Sequence, residues 1–191
     1  IRDVGYELYQ SMLEETISKI RGGQIDVLTS MDNQWSPQIN LGVSVLIPEA
    51  YVADLDVRLG LYRRLSNLSK KVEFEGFAAE LIDRFGKLPP EVNTLLLVVR
   101  IKSVCKKAGI GKLDGGPKGA TVQFHNDKFI SPEGLVEFIK KQNGLAKIKD
   151  NKLIIKRDWK KNSDKFKGAF SIARDLAEIA ASYQKNSRAK N

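Results

Sequence analysis

Residues 46–90 read LIPEAYVADLDVRLGLYRRLSNLSKKVEFEGFAAELIDRFGKLPP, and two adjacent helices follow from that stretch. In its second half Phe74, Phe77, Ala78, Leu81, Ile82 and Phe85 recur at the spacing of one helix face. The pattern predicts a helix over 73–85. Gly86 stands where a left-handed residue stops a helix, and Pro89-Pro90 cannot continue one. Glu80 and Asp83 fall outside the apolar stripe, three residues apart and so side by side on the outward surface. In the first half, residues 54–68 carry Leu55, Leu59, Leu61, Tyr62, Leu65 and Leu68 around much of a helical girth. That helix should be largely buried, with Arg58, Arg63 and Arg64 reaching outward.

On the N-terminal side, Ile39, Leu41, Val43 and Val45 alternate within Ile39–Ile47, the mark of a β-strand that Pro48 stops. Residues 24–37 are polar and aperiodic and read as a linker. Val4–Ile20 has helical periodicity and Gly22-Gly23 ends it. On the C-terminal side, Pro90 opens a helix that runs to about Ala108, with Gly109 as its cap. Short strands at 110–113 and 120–124 flank the turn Asp114–Gly119. Ser131 and Pro132 start a helix through Gln142. A second strand pair, 145–148 and 152–155, flanks Asp150-Asn151, and Ser163 caps a last helix. The order strand, strand, helix thus occurs twice. The expected class is α/β (α+β): a helical layer over about residues 51–108, then a small, mostly antiparallel sheet with two packed helices. Strand 39–47 should join that sheet.

The 191 residues allow one large domain or two small ones, and 42% are apolar, enough to fill a core. No apolar run reaches the ~18 residues of a membrane helix. The chain begins at Ile1 rather than Met, so it is expected to be a fragment. The single cysteine, Cys105, cannot form an internal disulfide and reads as a small core residue. With one histidine besides, there is no four-ligand His/Cys metal site. Any Ser-His or Cys-His catalysis would have to use His125, which lies in the turn-like stretch HNDK. The glycines of GIGKLDGGPKG, residues 109–119, lack the GxxxxGK[ST] spacing of a phosphate loop. A turn between strands accounts for them.

Charge is unevenly placed. Residues 1–88 carry 10 Lys/Arg against 13 Asp/Glu, and residues 89–191 carry 22 against 10, so the halves stand at −3 and +12. Lysines crowd residues 140–167, with Trp159 and Phe166 among them. Two readings stand: an ordinary solvated basic face, or phosphate contact by Lys160, Lys161, Lys165 and Lys167 with Trp159 stacking a base. Phe166 belongs to the core stripe of the last helix.

Three stretches carry a family resemblance: RDVGYELYQSMLEE at 2–15, LIPEAYVADLDVRLGLYRRLS at 46–66 and AELIDRFGKLPPEVNTLLLVVRIKSVCKKAGI at 79–110. Together they resemble the C-terminal part of the bacterial transcription-repair coupling factor. The likeness is strong to Ile110; from there to Tyr183 it rests on element order. It implies a division into residues 1–37, a lead-in helix and linker from the motor portion, and 38–183, the C-terminal regulatory domain. Residues 184–191 are expected to be a disordered tail.

The resemblance implies more about function. The family's full-length protein is an ATP-driven translocase on double-stranded DNA that removes stalled RNA polymerase and recruits UvrA. Its ATP and magnesium belong to the motor portion, so this chain is expected to hold no cofactor and to be no enzyme itself. The family's C-terminal domain packs on the N-terminal UvrA-binding module of the same protein and masks it. The acidic residues of ELIDRFG make that contact, which assigns Glu80 and Asp83 to an intramolecular interface with arginines. The implied location is the bacterial cytoplasm, with no membrane partner. The alternative is a DNA-contacting module that works through the basic C-terminal half.

Overall fold

The computed structural model describes residues 35–43 and 46–188. The helix expected at 4–20 lies outside them. The described elements are β1 (Gln38–Asn40), α1 (Leu55–Ser66), α2 (Lys71–Phe85), α3 (Pro90–Lys107), β2 (Ile110–Gly116), β3 (Gly119–Phe124), α4 (Pro132–Lys141), β4 (Ala146–Lys149), β5 (Lys152–Lys156) and α5 (Asn162–Arg188). The class is α/β, with five helices and a five-stranded mixed sheet among the described residues. They fall into two compact units. One holds residues 35–36 and 46–99; the other holds Pro37–Val43 and residues 100–188.

In the first unit α1 begins where Asp54 accepts a hydrogen bond from the Val57 amide at 2.9 Å, a side-chain cap for an otherwise unpaired donor. Leu59, Leu61, Tyr62 and Leu65 are buried, as their spacing requires. Arg58 departs from expectation. It is buried rather than outward, because its guanidinium donates to the carbonyls of Val52, at 2.5 Å, and Ala53, at 2.8 Å. The loop before α1 thereby gains partners for two carbonyls. The same loop is tied at Ile47, whose amide donates to the Tyr62 hydroxyl at 2.7 Å.

Helix α2 starts at Lys71, two residues before the expected Glu73. The Glu73 carboxylate reaches back to accept from the amides of Ser69, at 2.8 Å, and Lys70, at 3.0 Å; these bonds hold its ionisation below the usual range. Phe74, Phe77 and Leu81 are buried, whereas Ile82 is half exposed, so the apolar stripe is narrower than its periodicity suggests. Gly86 takes a φ of +85° and its amide returns to the Ile82 carbonyl. The Tyr51 hydroxyl is shared between the carbonyls of Leu81 and Gly86, at 3.0 and 2.9 Å, which fixes the end of α2.

In the second unit the strand order is β1-β2-β3-β5-β4. Only β1 and β2 run parallel; the other pairs are antiparallel. The strand expected over 39–47 does join the sheet, but it is three residues long. It ends because the Gly42 amide turns back onto the Asn40 side chain at 3.3 Å and Gly42 takes a φ of +67°. Strand β2 instead runs on to Gly116, beyond its expected end at residue 113, and pairs with β3 through a short connection at Pro117-Lys118. The β4–β5 turn places Asp150 and Asn151 at φ +51° and +57°, the conformation a two-residue hairpin needs.

The twofold strand-strand-helix order therefore forms one sheet, with the second strand of each hairpin, β3 and β5, side by side at its centre. Ile110, Leu113, Ala120, Val122, Leu153 and Ile155 are buried. Helix α5 packs on β2, and α4 packs on β4 and α5. Ser131 caps α4 through the Gly134 amide at 3.2 Å. Helix α5 runs to Arg188, so the tail expected to be disordered from residue 184 is helical over its first five residues.

Candidate interaction site

The outward ridge of α2 carries Glu80 and Asp83, and their surroundings differ. Arg64, on α1, meets Glu80 through two parallel bonds, Nη1 to Oε1 at 2.7 Å and Nη2 to Oε2 at 2.5 Å. Arg84, one turn further along α2, adds Nη1 to Oε1 at 3.0 Å. Both guanidinium groups are also seated on rings: Arg64 lies 5.2 Å from the Phe77 centroid and Arg84 4.8 Å from that of Phe85. The hydrogen bonds from Arg64 and then Arg84 hold the Glu80 carboxyl down to about 2. A carboxylate offers about four acceptor positions, and three at Glu80 are taken from within the unit. Asp83 is exposed and has no ion-pair partner among the described residues. With Arg64 and Arg84 included, this ridge is electrically neutral rather than acidic. The carboxylate open to an incoming cation is Asp83.

Sequence periodicity does not bring Arg64 to this site. It lies 16 residues from Glu80, so no local spacing joins them. The Arg84 contact spans four residues and its spacing alone could have signalled it.

The basic cluster expected around Trp159 is divided by the fold. Trp159 is 8% exposed. Its amide donates to the Pro117 carbonyl at 2.8 Å. Its indole lies on Gly168, where even a methyl group would fall 2.2 Å from a ring carbon. With its ring covered, the indole has no open face for a base. Lys165 is buried too, its stem running past Gly115 and its ammonium near Gly42. Lys160, Lys161 and Lys167 remain exposed, and Lys160 pairs with Asp158 at 3.7 Å. These five residues therefore do not form one surface.

His125 opens a single 3-10 turn, and its amide donates to the Gly109 carbonyl at 2.8 Å. Cys105 is fully buried, and burial pushes its thiol up to about 12. Among the described residues no three His, Cys, Asp or Glu side chains gather to hold a metal ion. None of the described helices is long and apolar enough to cross a membrane.

Residues 41–135 match the TRCF domain. The transcription-repair-coupling factor of Rickettsia conorii is 45% identical over 155 residues, 81% of this chain. The chain belongs to the transcription-repair-coupling factor family. The Escherichia coli transcription-repair-coupling factor is 32% identical over 139 residues, 73% of the chain. The chain spans 13% of the length of the R. conorii protein and 12% of the E. coli one. A crystal structure of the C-terminal domain of transcription-repair coupling factor shares the fold, with a TM-score of 0.65 and 21% identity, over 80% of this chain and 99% of that one. The Arg64–Glu80–Arg84 arrangement lies wholly inside the family-matched segment.

Proposed function

We propose that this chain is a non-catalytic regulatory domain of a transcription-repair coupling factor. In this reading it docks on the UvrA-binding module of its own protein and keeps that module masked until the protein engages its target. The whole protein would be an ATP-driven translocase on double-stranded DNA in the bacterial cytoplasm. It would displace stalled RNA polymerase and recruit UvrA, with ATP and magnesium held by its motor portion rather than by this chain.

The observation that carries the reading is the pairing of an unengaged Asp83 with a Glu80 held rigid beside it. An arginine from the partner module can bind Asp83 bidentately and take the remaining acceptor position of Glu80. Arg64 and Arg84 orient Glu80 and limit how much positive charge the site will accept. Truncating one side of such a pair typically costs about 2–5 kcal/mol of binding once it is desolvated. A bias of about 1.4 kcal/mol already changes a masked-to-open ratio tenfold.

The test is calorimetric titration of the 191-residue chain with the separately purified UvrA-binding module, wild type beside Asp83→Arg. The reading requires that wild type binds and that Asp83→Arg binds at least tenfold more weakly. Equal affinity of the two would move the contact off α2.

A further inference from the structure

The sheet of the second unit has one face buried under helices and one face open. On the open face, cross-strand register lines up one residue from every strand: Lys149, Lys152, Gln123, Lys112 and Gln38. All five are amine or amide donors, and the row spans about 19 Å at the usual strand spacing. Lys147 on β4 and Lys156 on β5 project from the same face. The five lysines are exposed. Lys112 is answered by Asp114 at 3.3 Å, and Asp127 accepts from the Gln123 amide at 3.2 Å. Among the described residues the other four lysines have no ion-pair partner.

We infer that this open sheet face binds the phosphate backbone of nucleic acid without regard to sequence. Lys149 and Lys152 stand directly opposite each other in the β4–β5 register, and like charges so placed destabilise a sheet until an anion lies between them. Lysines on β4 serve a second purpose, since it is an edge strand and charge there discourages stray pairing. That purpose does not account for Lys112, Lys152 and Lys156, which lie on strands with neighbours on both sides. A protein partner is the poorer fit. Protein interfaces are depleted in lysine and have an apolar centre, whereas among the described residues the middle of this face has the half-buried Ile154, and the exposed Leu145 lies at its corner beside Lys156. No aromatic residue stands in the row, so bases are not stacked and the contact is electrostatic. This face is distinct from the one first expected around Trp159, and it is independent of the α2 ridge.

The experiment is fluorescence anisotropy of a labelled 20-base-pair duplex with the 191-residue chain, from 50 to 200 mM salt. Expected is a log–log salt slope near −4, a loss of roughly 250-fold across that range. Lys149→Gln with Lys152→Gln should weaken binding at least tenfold at 50 mM and bring the slope to about −2. Lys160→Gln with Lys161→Gln should leave both unchanged. Because all four side chains are exposed, circular dichroism should show each variant folded. No complex at 50 mM, equal losses in the two double variants, or displacement of the duplex by an equal charge of polyglutamate would each overturn the proposal. The last result would assign the face to an acidic protein.

Discussion

Arg64 of α1 grips Glu80 of α2 with both terminal nitrogens, 2.7 and 2.5 Å from the two carboxylate oxygens. This fork, with Arg84 beside it, converts an acidic-looking sequence motif into a neutral, oriented device. It also makes the two carboxylates of the motif separable by experiment, since one is tied into the fold and the other is not.

That tie sets a dependence on pH. The Glu80 carboxyl is lowered from its ordinary 4.5 to about 2 by the bonds from Arg64 and Arg84. A depressed carboxyl stabilises the folded state above the unfolded value and loses that contribution as pH falls through the folded one. Glu80→Gln should therefore cost stability at pH 7, by about 1 kcal/mol for a partly exposed networked pair. The gap to wild type should close between about pH 4.5 and 2. Asp83→Asn should stay within about 0.5 kcal/mol of wild type at pH 7. Urea titrations at pH 7, 4 and 2.5 measure all three.

Tyr62 holds the segment before α1 through its hydroxyl, which accepts from the buried Ile47 amide. Tyr62→Phe keeps the ring but strands that donor. The expected cost is about 1–3 kcal/mol, together with faster amide exchange at Ile47. Unchanged exchange there would show that the amide had found another acceptor.

Trp159 and Gly168 are fitted to each other. A Cβ at residue 168 would stand 2.2 Å from the indole, and a rigid ring in a packed core cannot yield that much. Gly168→Ala should destabilise by about 1–3 kcal/mol, even though alanine favours a helix. Trp159→Ala should cost about 3–5 kcal/mol. Pairing Gly168→Ala with Trp159→Leu should recover part of the loss from the alanine, and denaturant midpoints would show it.

Cys105 is shielded, and burial pushes its thiol up to about 12. At pH 8 the thiolate fraction in the native chain is negligible, while an unfolded thiol ionises near its ordinary value. A thiol reagent should leave the native protein unlabelled over minutes and react fully in urea. Prompt native labelling would mean that α3 opens at that point.

Much of the fold could be read locally. Asp54 and Ser131 sit where helices begin because their oxygens reach amides three residues on. Gly86 and Gly109 sit where helices end because both need a positive φ. Asp150-Asn151 announces its hairpin for the same reason. Each of these signals is settled within a few residues, so a linear string carries it.

Periodicity and alternation report which face a residue lies on, not what its side chain or backbone bonds to. Arg58 looked like an outward cation, but the carbonyls of Val52 and Ala53 drew it inward. Trp159 and Lys165 have the spacing of a binding cluster, but both are buried, and Gly168 on α5 makes room for the indole. The strand over 39–47 was shortened by the Asn40–Gly42 turn, which period-2 alternation cannot reveal.

By itself, then, the sequence determined the kind and order of the elements, their caps and turns, and the family to which they belong. It also placed Glu80 and Asp83 on an outward ridge, because helical periodicity is a property of neighbours. Tertiary structure alone decided that Arg64 of α1 joins Arg84 on Glu80. It likewise decided that β3 meets β5 and that lysines from three strands share one open face. Those outcomes depend on which surfaces meet when the chain closes on itself, and burial and charge pairing act through space rather than along the chain.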